Sequence, residues 1–498
     1  MSSDFDGDGF ADLATGTPRE DIGGIRDVGS VTVLYGTAQG LRGARSQLWH
    51  EGSTGVPGDP STSDLFGFAL AAGDIDGDGY ADLVIGSPFE AVGTKTNAGA
   101  IVVLYGTDEG LGASGAQRFT QDTAGLPDVV EKGDQFGYSV AAGDLGGDGF
   151  VDIGFGVHRE DLPGESGTER ANAGAVQVLY GSAEGVATSG GRLISQATAG
   201  IPDDAERGDA FGSAIVAADF DGDGSDDLAV GGADEDVTGA RDAGIAIVIP
   251  GGSGGIDPSA AIAVHQARAG VADEPENGDL LGWALAAGDL DGDGRDDLAA
   301  GVHGETISGR SSAGAVHVIP GSADGIRPGW SVLWHQDVAN VAGTAGTADA
   351  FGKALASGDL NDDGHDDLAI GARYDEEGGA LGAGVVHVLF GSATGLTPAA
   401  SQLWTQTATG VGETGEEKDH FGSILAIAHV RGGVLPALVI GTHFESLGGA
   451  TYAGVFHVLA GGTGGPTASG AQLWSQDSTD VPEQADANDF FPFSLAGH

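Results

Sequence analysis

The stretch Asp219-Phe-Asp-Gly-Asp-Gly-Ser-Asp-Asp227 carries carboxylates at its first, third, fifth and ninth positions: Asp219, Asp221, Asp223 and Asp227. A glycine at the sixth position permits a sharp turn, and the seventh residue, Ser225, can turn its carbonyl inward. Such an oxygen set suits a hard cation, calcium best of all. Four carboxylates in one short turn repel strongly unless a cation sits among them. The pattern recurs in full as Asp4, Asp6, Asp8 and Asp12 around Phe10, as Asp74, Asp76, Asp78 and Asp82 around Tyr80, and as Asp289, Asp291, Asp293 and Asp297 around Arg295. A variant with Asp359, Asn361, Asp363 and Asp367 around His365 keeps an oxygen at its third position but loses one charge. Another, with Asp144, Asp148 and Asp152 around Phe150, has Gly146 at the third position, so weaker binding or an extra water is expected there. The seventh register holds His429, Arg431, Gly433 and Ala437 and should be metal-free. Five to six structural Ca²⁺ sites are therefore expected.

An EF-hand needs a glutamate at the twelfth position and flanking helices. The twelfth residues here are Thr15, Ile85, Phe155, Val230, Ala300 and Ile370, and the flanking segments read as strands. The alike sites show no open position beside a nucleophile. A structural role follows, each cation joining two strands and binding only the folded state.

The elements that position these loops come from their recurrence. The registers Asp4, Asp74, Asp144, Asp219, Asp289, Asp359 and His429 are spaced by 70 residues, with one interval of 75. One unit contains short apolar runs bounded by Gly, Asp or Ser: Phe136–Gly143, Ile153–Gly156, Ala173–Tyr180 and Arg192–Gln196. Runs of this length without sustained helical spacing are strands. Four strands per unit and seven units predict an all-β chain, a seven-bladed β-propeller with four-stranded blades, spanning residues 1–498 as a single domain. The first unit lacks its leading strand, and residues 489–498 match the leading strand of the sixth unit in register. They are expected to complete the first blade and close the ring, removing two exposed sheet edges.

Composition narrows the function. The net charge of −54, with only 20 Lys+Arg, makes nucleic acid and anionic membrane poor partners. There is no Cys, hence no disulfide and no thiol chemistry. No apolar run approaches membrane-spanning length, and the first residues enter an acidic loop without a signal peptide. No membrane insertion, an extracellular or cell-surface setting and a monomer are expected.

Other periodic residues invite a functional reading and have a simpler one. Glu20, Glu90, Glu160, Glu235, Glu305, Asp375 and Glu445 follow each second strand. Asp64, Asp134, Asp209, Asp279, Asp349, Asp419 and Asp489 precede each Phe-Gly position. A ring of acids could bind cations or a basic partner; the preferred reading is that they accept backbone N–H bonds that lock loops together. Trp49, Phe119, Ile194, Val264, Trp334, Trp404 and Trp474 could offer sugar platforms between blades, but packing is the preferred role. Function is sought where symmetry breaks. The long interval enlarges the loop at Asp161–Arg170. Nearby unrepeated side chains are Phe89, His158, Arg159, His303, Arg373, Tyr374, His443 and Phe444, the ligand candidates, although an isolated loop histidine is ordinarily solvated.

The repeated Phe-Gly, the acidic loop and the glycine that follows resemble the FG-GAP repeat of integrin α-subunit head propellers and related bacterial proteins. The carriers are Phe66-Gly67, Phe136-Gly137, Phe211-Gly212, Leu281-Gly282, Phe351-Gly352 and Phe421-Gly422, with Phe491-Pro492 as a terminal variant. The resemblance implies calcium between the first and second strands of a blade on a lower face, and ligands on the opposite, upper face. It does not bring integrin function, which requires a partner subunit, leg and anchor. A calcium-stabilised, non-enzymatic binding propeller that presents its upper face to a protein or glycan is the leading expectation. A lectin with inter-blade sites and a polysaccharide lyase or phosphodiesterase on the same scaffold are the alternatives. No Ser-His-Asp or Cys-His arrangement is legible.

Overall fold

A strand covered on both faces needs apolar side chains on both faces. The second and third strands of each repeat meet that demand: Asp82–Ser87 and Ala100–Tyr105 are buried at every position. The fourth strand, Gly112–Phe119, is exposed in part, and the first, Ala69–Gly73, is half-buried. These burial patterns are those of a blade stacked between two neighbours. In the computed structural model, which describes residues 3–163, 169–432 and 435–497, seven four-stranded antiparallel sheets are arranged as a propeller. The first strands line an axial cavity of about 520 Å³, to which all seven blades contribute.

Blades meet through glycine. A Cβ on Gly86 would lie 2.2 Å from the carbonyl oxygen of Gly137 in the next blade, and Gly16, Gly156, Gly231, Gly301 and Gly371 make the same approach. The Phe-Gly element is therefore a blade-to-blade clamp. Phe136 is buried, its N–H donates to Ala98 of the preceding blade at 2.9 Å, and Gly137 adopts φ 84°, which suits glycine. Each hydrophobic cluster joins two adjacent blades, so the core is a ring of seven interfaces. Truncating one clamping Phe to Ala removes about 3–5 kcal/mol.

Ring closure follows the expected register. Ser494–Ala496 pairs with the strand Leu13–Thr17, with Ala14 opposite Ala496 and Gly16 opposite Ser494. Phe491 is fully buried, and its N–H donates to Ala453 at 2.8 Å. His498 lies outside the described residues.

Two strand boundaries need correction. The fourth strand of the third blade is Ala187–Ile194, not Arg192–Gln196: the strand starts directly after a tight turn, and Gln196 lies beyond it. The Phe-Gly pair begins the first strand in Phe136–Gly143 and Phe351–Gly358. In the second, fourth, fifth and seventh blades the strand starts later, at Ala69, Ala214, Leu285 and Ile424. In the fourth and fifth blades short 3₁₀ turns, Pro258–Ala260 and Pro328–Trp330, replace the start of the fourth strand. In the enlarged loop, Leu162–Pro163 pairs with Glu169–Arg170 as a small ribbon on the upper side; residues 164–168 lie outside the described residues.

Candidate functional sites on the two faces

On the lower face, each acidic loop folds around its own carboxylates. In the first, Asp4 accepts the N–H groups of Asp8 (3.1 Å) and Gly9 (2.8 Å), Asp6 accepts that of Asp8, and Asp8 accepts that of Phe10. Asp74, Asp219, Asp289 and Asp359 make the same pair of bonds from the first position. Ligand oxygens of Asp4, Asp6 and Asp8 lie within 4.8 Å of one another, as do those of Asp74, Asp76 and Asp78 and those of Asp219, Asp221 and Asp223. An all-oxygen set of this spacing fits a hard cation.

The ninth aspartate has a second task. Asp82 accepts the N–H of Ile75 at 2.8 Å and that of Gly106, at the end of the third strand, at 2.9 Å. Asp12, Asp152, Asp227, Asp297 and Asp367 bridge to the third strand in the same way. Burial pushes Asp12 up to about 8 and Asp82, Asp152, Asp227, Asp297 and Asp367 up to about 7, against the lowering effect of those N–H donors. A cation in the loop would hold them ionised.

The remaining positions differ. At Gly146 the donor to the ninth aspartate moves from the second residue to the third, at 2.7 Å, and a Cβ there would lie 3.2 Å from the Asp152 carboxylate. Side chains at the seventh position lie over the preceding loop: Tyr80 at Gly7, Phe150 at Gly77, Arg295 at Gly222 and His365 at Gly292. Arg295 also donates to Asp293 at 3.1 Å, and Arg45 donates to Asp6 at 3.1 Å. In the seventh register Arg431 turns away and donates to the Gly470 carbonyl at 3.0 Å; Gly433 is outside the described residues. Sequence reasoning missed Asp226, Asp296 and Asp366, at the eighth position of three consecutive loops. They accept the N–H groups of Asp144 (2.7 Å), Asp219 (3.1 Å) and Asp289 (3.1 Å), tying each loop to the one before.

On the upper face the periodic acids bind protein groups. Each Asp of the Asp64 series accepts the N–H three residues before it within its own loop, as Asp209 does from Glu206 at 2.5 Å. The Glu20 series accepts side-chain donors instead: Gln406 donates to Glu445 of the next blade at 2.8 Å. The fourth-strand positions Phe119, Ile194, Val264, Trp334 and Trp474 are buried and offer no sugar platform.

The ligand candidates gather around the upper mouth with partners that the sequence did not single out. These partners occupy one register, two residues after each Phe: Phe68, Tyr138, Ser213, Trp283, Lys353, Ser423 and Phe493. A position that varies inside an otherwise regular motif was the available signal. Phe68 contacts Phe89, Tyr138 and Phe493, and Tyr138 contacts His158. Trp283 meets His303 edge-on at 4.9 Å. Lys353 Nζ lies 4.2 Å from the Trp283 ring centre and 2.9 Å from His303 Nε2. Arg373 lies over Tyr374, and Phe444 packs with His420, His443, Tyr452 and Phe490. Trp283 and Tyr374 remain exposed.

His158, His303 and His443 are buried, correcting the expectation of solvated loop histidines. Burial depresses each to about 3, and neighbouring guanidinium or ammonium groups add to this, so all three are neutral near pH 7. Burial and then Arg373 lower Lys353 to about 7. His443 Nδ1 lies 3.0 Å from Ser423 Oγ, but its other hydrogen bond is to the Pro492 backbone rather than to an orienting carboxylate. Arg159 lies at the edge of this set, near Tyr138, His158 and Asp234, whose titration it influences.

The FG-GAP repeat model matches residues 1–34, 66–104, 136–179, 211–249, 281–319 and 351–389. Integrin alpha pat-2 of Caenorhabditis briggsae is 32% identical over 253 residues, covering 48% of this chain and 18% of that protein. Phosphatidylinositol-glycan-specific phospholipase D of Homo sapiens is 31% identical over 169 residues, covering 34% of this chain and 19% of that protein. The chain thus spans under a fifth of either relative. Among solved structures, rhamnogalacturonan lyase YesW aligns over 88% of this chain and 65% of that chain, at 14% identity and a TM-score of 0.39. With six matched repeats, integrin α-chain relatives and seven blades in one ring, the chain is an FG-GAP repeat protein with an integrin-like propeller.

Proposed function

We propose that the chain is a calcium-stabilised, non-enzymatic binding propeller of the extracellular or cell-surface space, with its ligand at the upper mouth. The lower-face carboxylates supply the calcium ligands: the first, third and fifth positions of each loop carry the cation, and the ninth couples it to the third strand. Calcium there does no chemistry and holds the strands together. Its abundance outside cells is consistent with that setting.

The observation that carries the ligand reading is the group Trp283, His303, Lys353, Arg373 and Tyr374. It offers exposed ring surface, a neutral imidazole, a guanidinium and a lysine amine that is cationic in part near pH 7, in a chain of net charge −54. Ring faces stack on sugars and on aromatic side chains, and a guanidinium pairs with carboxylate. An acidic glycan or an acidic protein loop fits this chemistry. An immobilised array of acidic and neutral glycans, read with bound calcium, tests it. Binding to acidic glycans that is lost in Arg373→Ala and Tyr374→Ala supports the glycan form; binding unaffected by both substitutions overturns the location.

A second reading rests on Lys353, lowered to about 7 and 2.9 Å from a neutral imidazole. An amine that is partly neutral at pH 7 can serve as a general base, as a polysaccharide lyase requires. Appearance of unsaturated uronate absorbance on incubation with acidic polysaccharides, abolished by Lys353→Met, would establish that activity. No absorbance change across such polymers removes it.

A further inference from the structure

Six of the seven blade junctions close with one repeated contact on the upper face. A buried Gln after the fourth strand donates from Nε2 to the first carboxylate of the next blade's upper loop. The pairs are Gln121–Glu160 (2.8 Å), Gln196–Glu235 (2.5 Å), Gln266–Glu305 (2.6 Å), Gln336–Asp375 (2.7 Å), Gln406–Glu445 (2.8 Å) and, across the ring closure, Gln476–Glu20 (2.5 Å). The amide places a neutral donor against a buried carboxylate.

The junction between the first and second blades departs from this rule. Glu51 occupies the Gln register, so a carboxylate oxygen stands where the others have an N–H donor. Its neighbours are the carboxylates of Glu90 and Asp64. Glu51 is 2% exposed, Asp64 1% and Glu90 5%. As ionised groups, both Glu51 oxygens and Oε2 of Glu90 are buried without a hydrogen-bond donor, although a proton on Glu51 would bridge to Glu90 and Asp64. Asp64 accepts the Ser61 N–H, and Arg118 pairs with the other Glu90 oxygen. Gly58 stands where five other junctions have an acid, Asp128, Asp203, Asp273, Glu413 and Glu483, and its Cα is turned to the Glu51 carboxylate, where even a Cβ would keep 3.6 Å.

Three buried carboxylates and one guanidinium leave an uncompensated charge of two, which folded proteins do not tolerate in a desolvated site. We propose that Glu51, Asp64 and Glu90 bind one calcium ion at this junction, on the face opposite the acidic loops. A divalent cation matches both the residual charge and the three unpartnered oxygens, and hard oxygen donors select calcium. The site would pin the first blade, which the terminal strand completes, to the second. The competing arrangement is one proton shared between Glu51 and its neighbours, and it takes up no metal.

The substitution Glu51→Gln installs the residue used at the other six junctions, so the fold is expected to survive. After equilibration at low free calcium, elemental analysis of the parent is expected to give one more bound calcium per chain than E51Q. In chelator E51Q is expected to melt above the parent, and calcium should narrow or reverse that gap. Equal calcium counts in the two proteins overturn the proposal and assign the shared proton. Anomalous difference density from parent crystals grown in calcium is the second measurement and needs no variant. A peak among Glu51, Asp64 and Glu90 supports the site; no peak there while the acidic loops are filled overturns it.

Discussion

The lower-face loops and the upper mouth are built by the same repeats, yet they follow opposite rules. Below, the first, fifth and ninth positions are aspartate in six of the seven registers, and their hydrogen bonds repeat to within a few tenths of an ångström, as at Asp4 and Asp74. Above, the register two residues after each Phe holds Phe, Tyr, Ser, Trp, Lys, Ser and Phe in turn. Repetition serves the scaffold, because each interface poses the same packing problem. Variation marks the surface where one particular partner must be met. The two faces are separable by experiment, and the largest effects should come from the repeated one.

Deleting residues 489–498 is expected to have the largest effect. It removes the strand Ser494–Ala496 and the fully buried Phe491, opening the ring at the first blade. Loss of the cooperative thermal transition is expected; an unchanged melting curve for the truncated chain would sink the closure account.

Chelation comes next. Saturation at a hundred times Kd stabilises by about 2.7 kcal/mol for each site that only the folded chain possesses. Several such sites should give a drop in Tm of many degrees on adding chelator, restored by Ca²⁺ better than by Mg²⁺, which prefers a smaller octahedral cage. An unmoved Tm would refute the structural role. Below the calcium-free transition, ligand capture by Trp283 and Tyr374 should persist, since they lie on the other face.

Most of the fold was legible because one signal, the acidic loop, fixed the blade number, register and closure together. Phe-Gly was legible as a motif, but its purpose was not. The clamp of Phe136 on Ala98 joins residues of two repeats, and strand patterning within one repeat cannot show it. The candidate calcium ligands could be named from spacing alone, since their oxygens lie within nine residues of chain. Asp226, Asp296 and Asp366 escaped notice because their partners are about eighty residues away. The mouth was half legible. His303, Arg373 and Tyr374 stood out as breaks in symmetry, whereas Trp283 meets His303 across its own blade and Lys353 reaches it from the next. The histidines appeared solvated because loop residues usually are; here aromatic neighbours cover them, Tyr138 and Trp283 from the same blade and Phe493 from the next.

The junction acids give the scaffold a pH signature that the mouth does not share. Burial and then neighbouring carboxylates push Glu160 up to about 9, and Glu20, Glu235 and Glu305 up to about 8. In the unfolded chain these groups titrate near 4.5. The folded form therefore holds the proton more tightly, and the contribution is fully present below about pH 4.5 and lost as pH rises through 8 to 9. In chelator, Tm is expected to fall from about pH 5.5 to about pH 9, and Glu160→Gln should flatten the slope. A Tm that rises over this range would contradict the sign.

The smallest effect expected is at a single latch. Gln406 is fully buried and donates to Glu445, which is 4% exposed. Gln406→Ala removes that donor and leaves Oε2 of Glu445 unpaired, while Oε1 keeps the Ser446 N–H, a loss of about 1–3 kcal/mol. Gln406→Glu makes the same junction resemble the one at Glu51, but Glu413 and Glu416 stand where that junction has Gly58 and Ser61. The added carboxylate then lies among four neighbouring acids with no Arg118 equivalent to offset them. Destabilisation in chelator should exceed that of Gln406→Ala, and calcium should recover part of it. Equal melting of the two variants with and without calcium would show that the junction responds to the lost amide alone and not to the added charge.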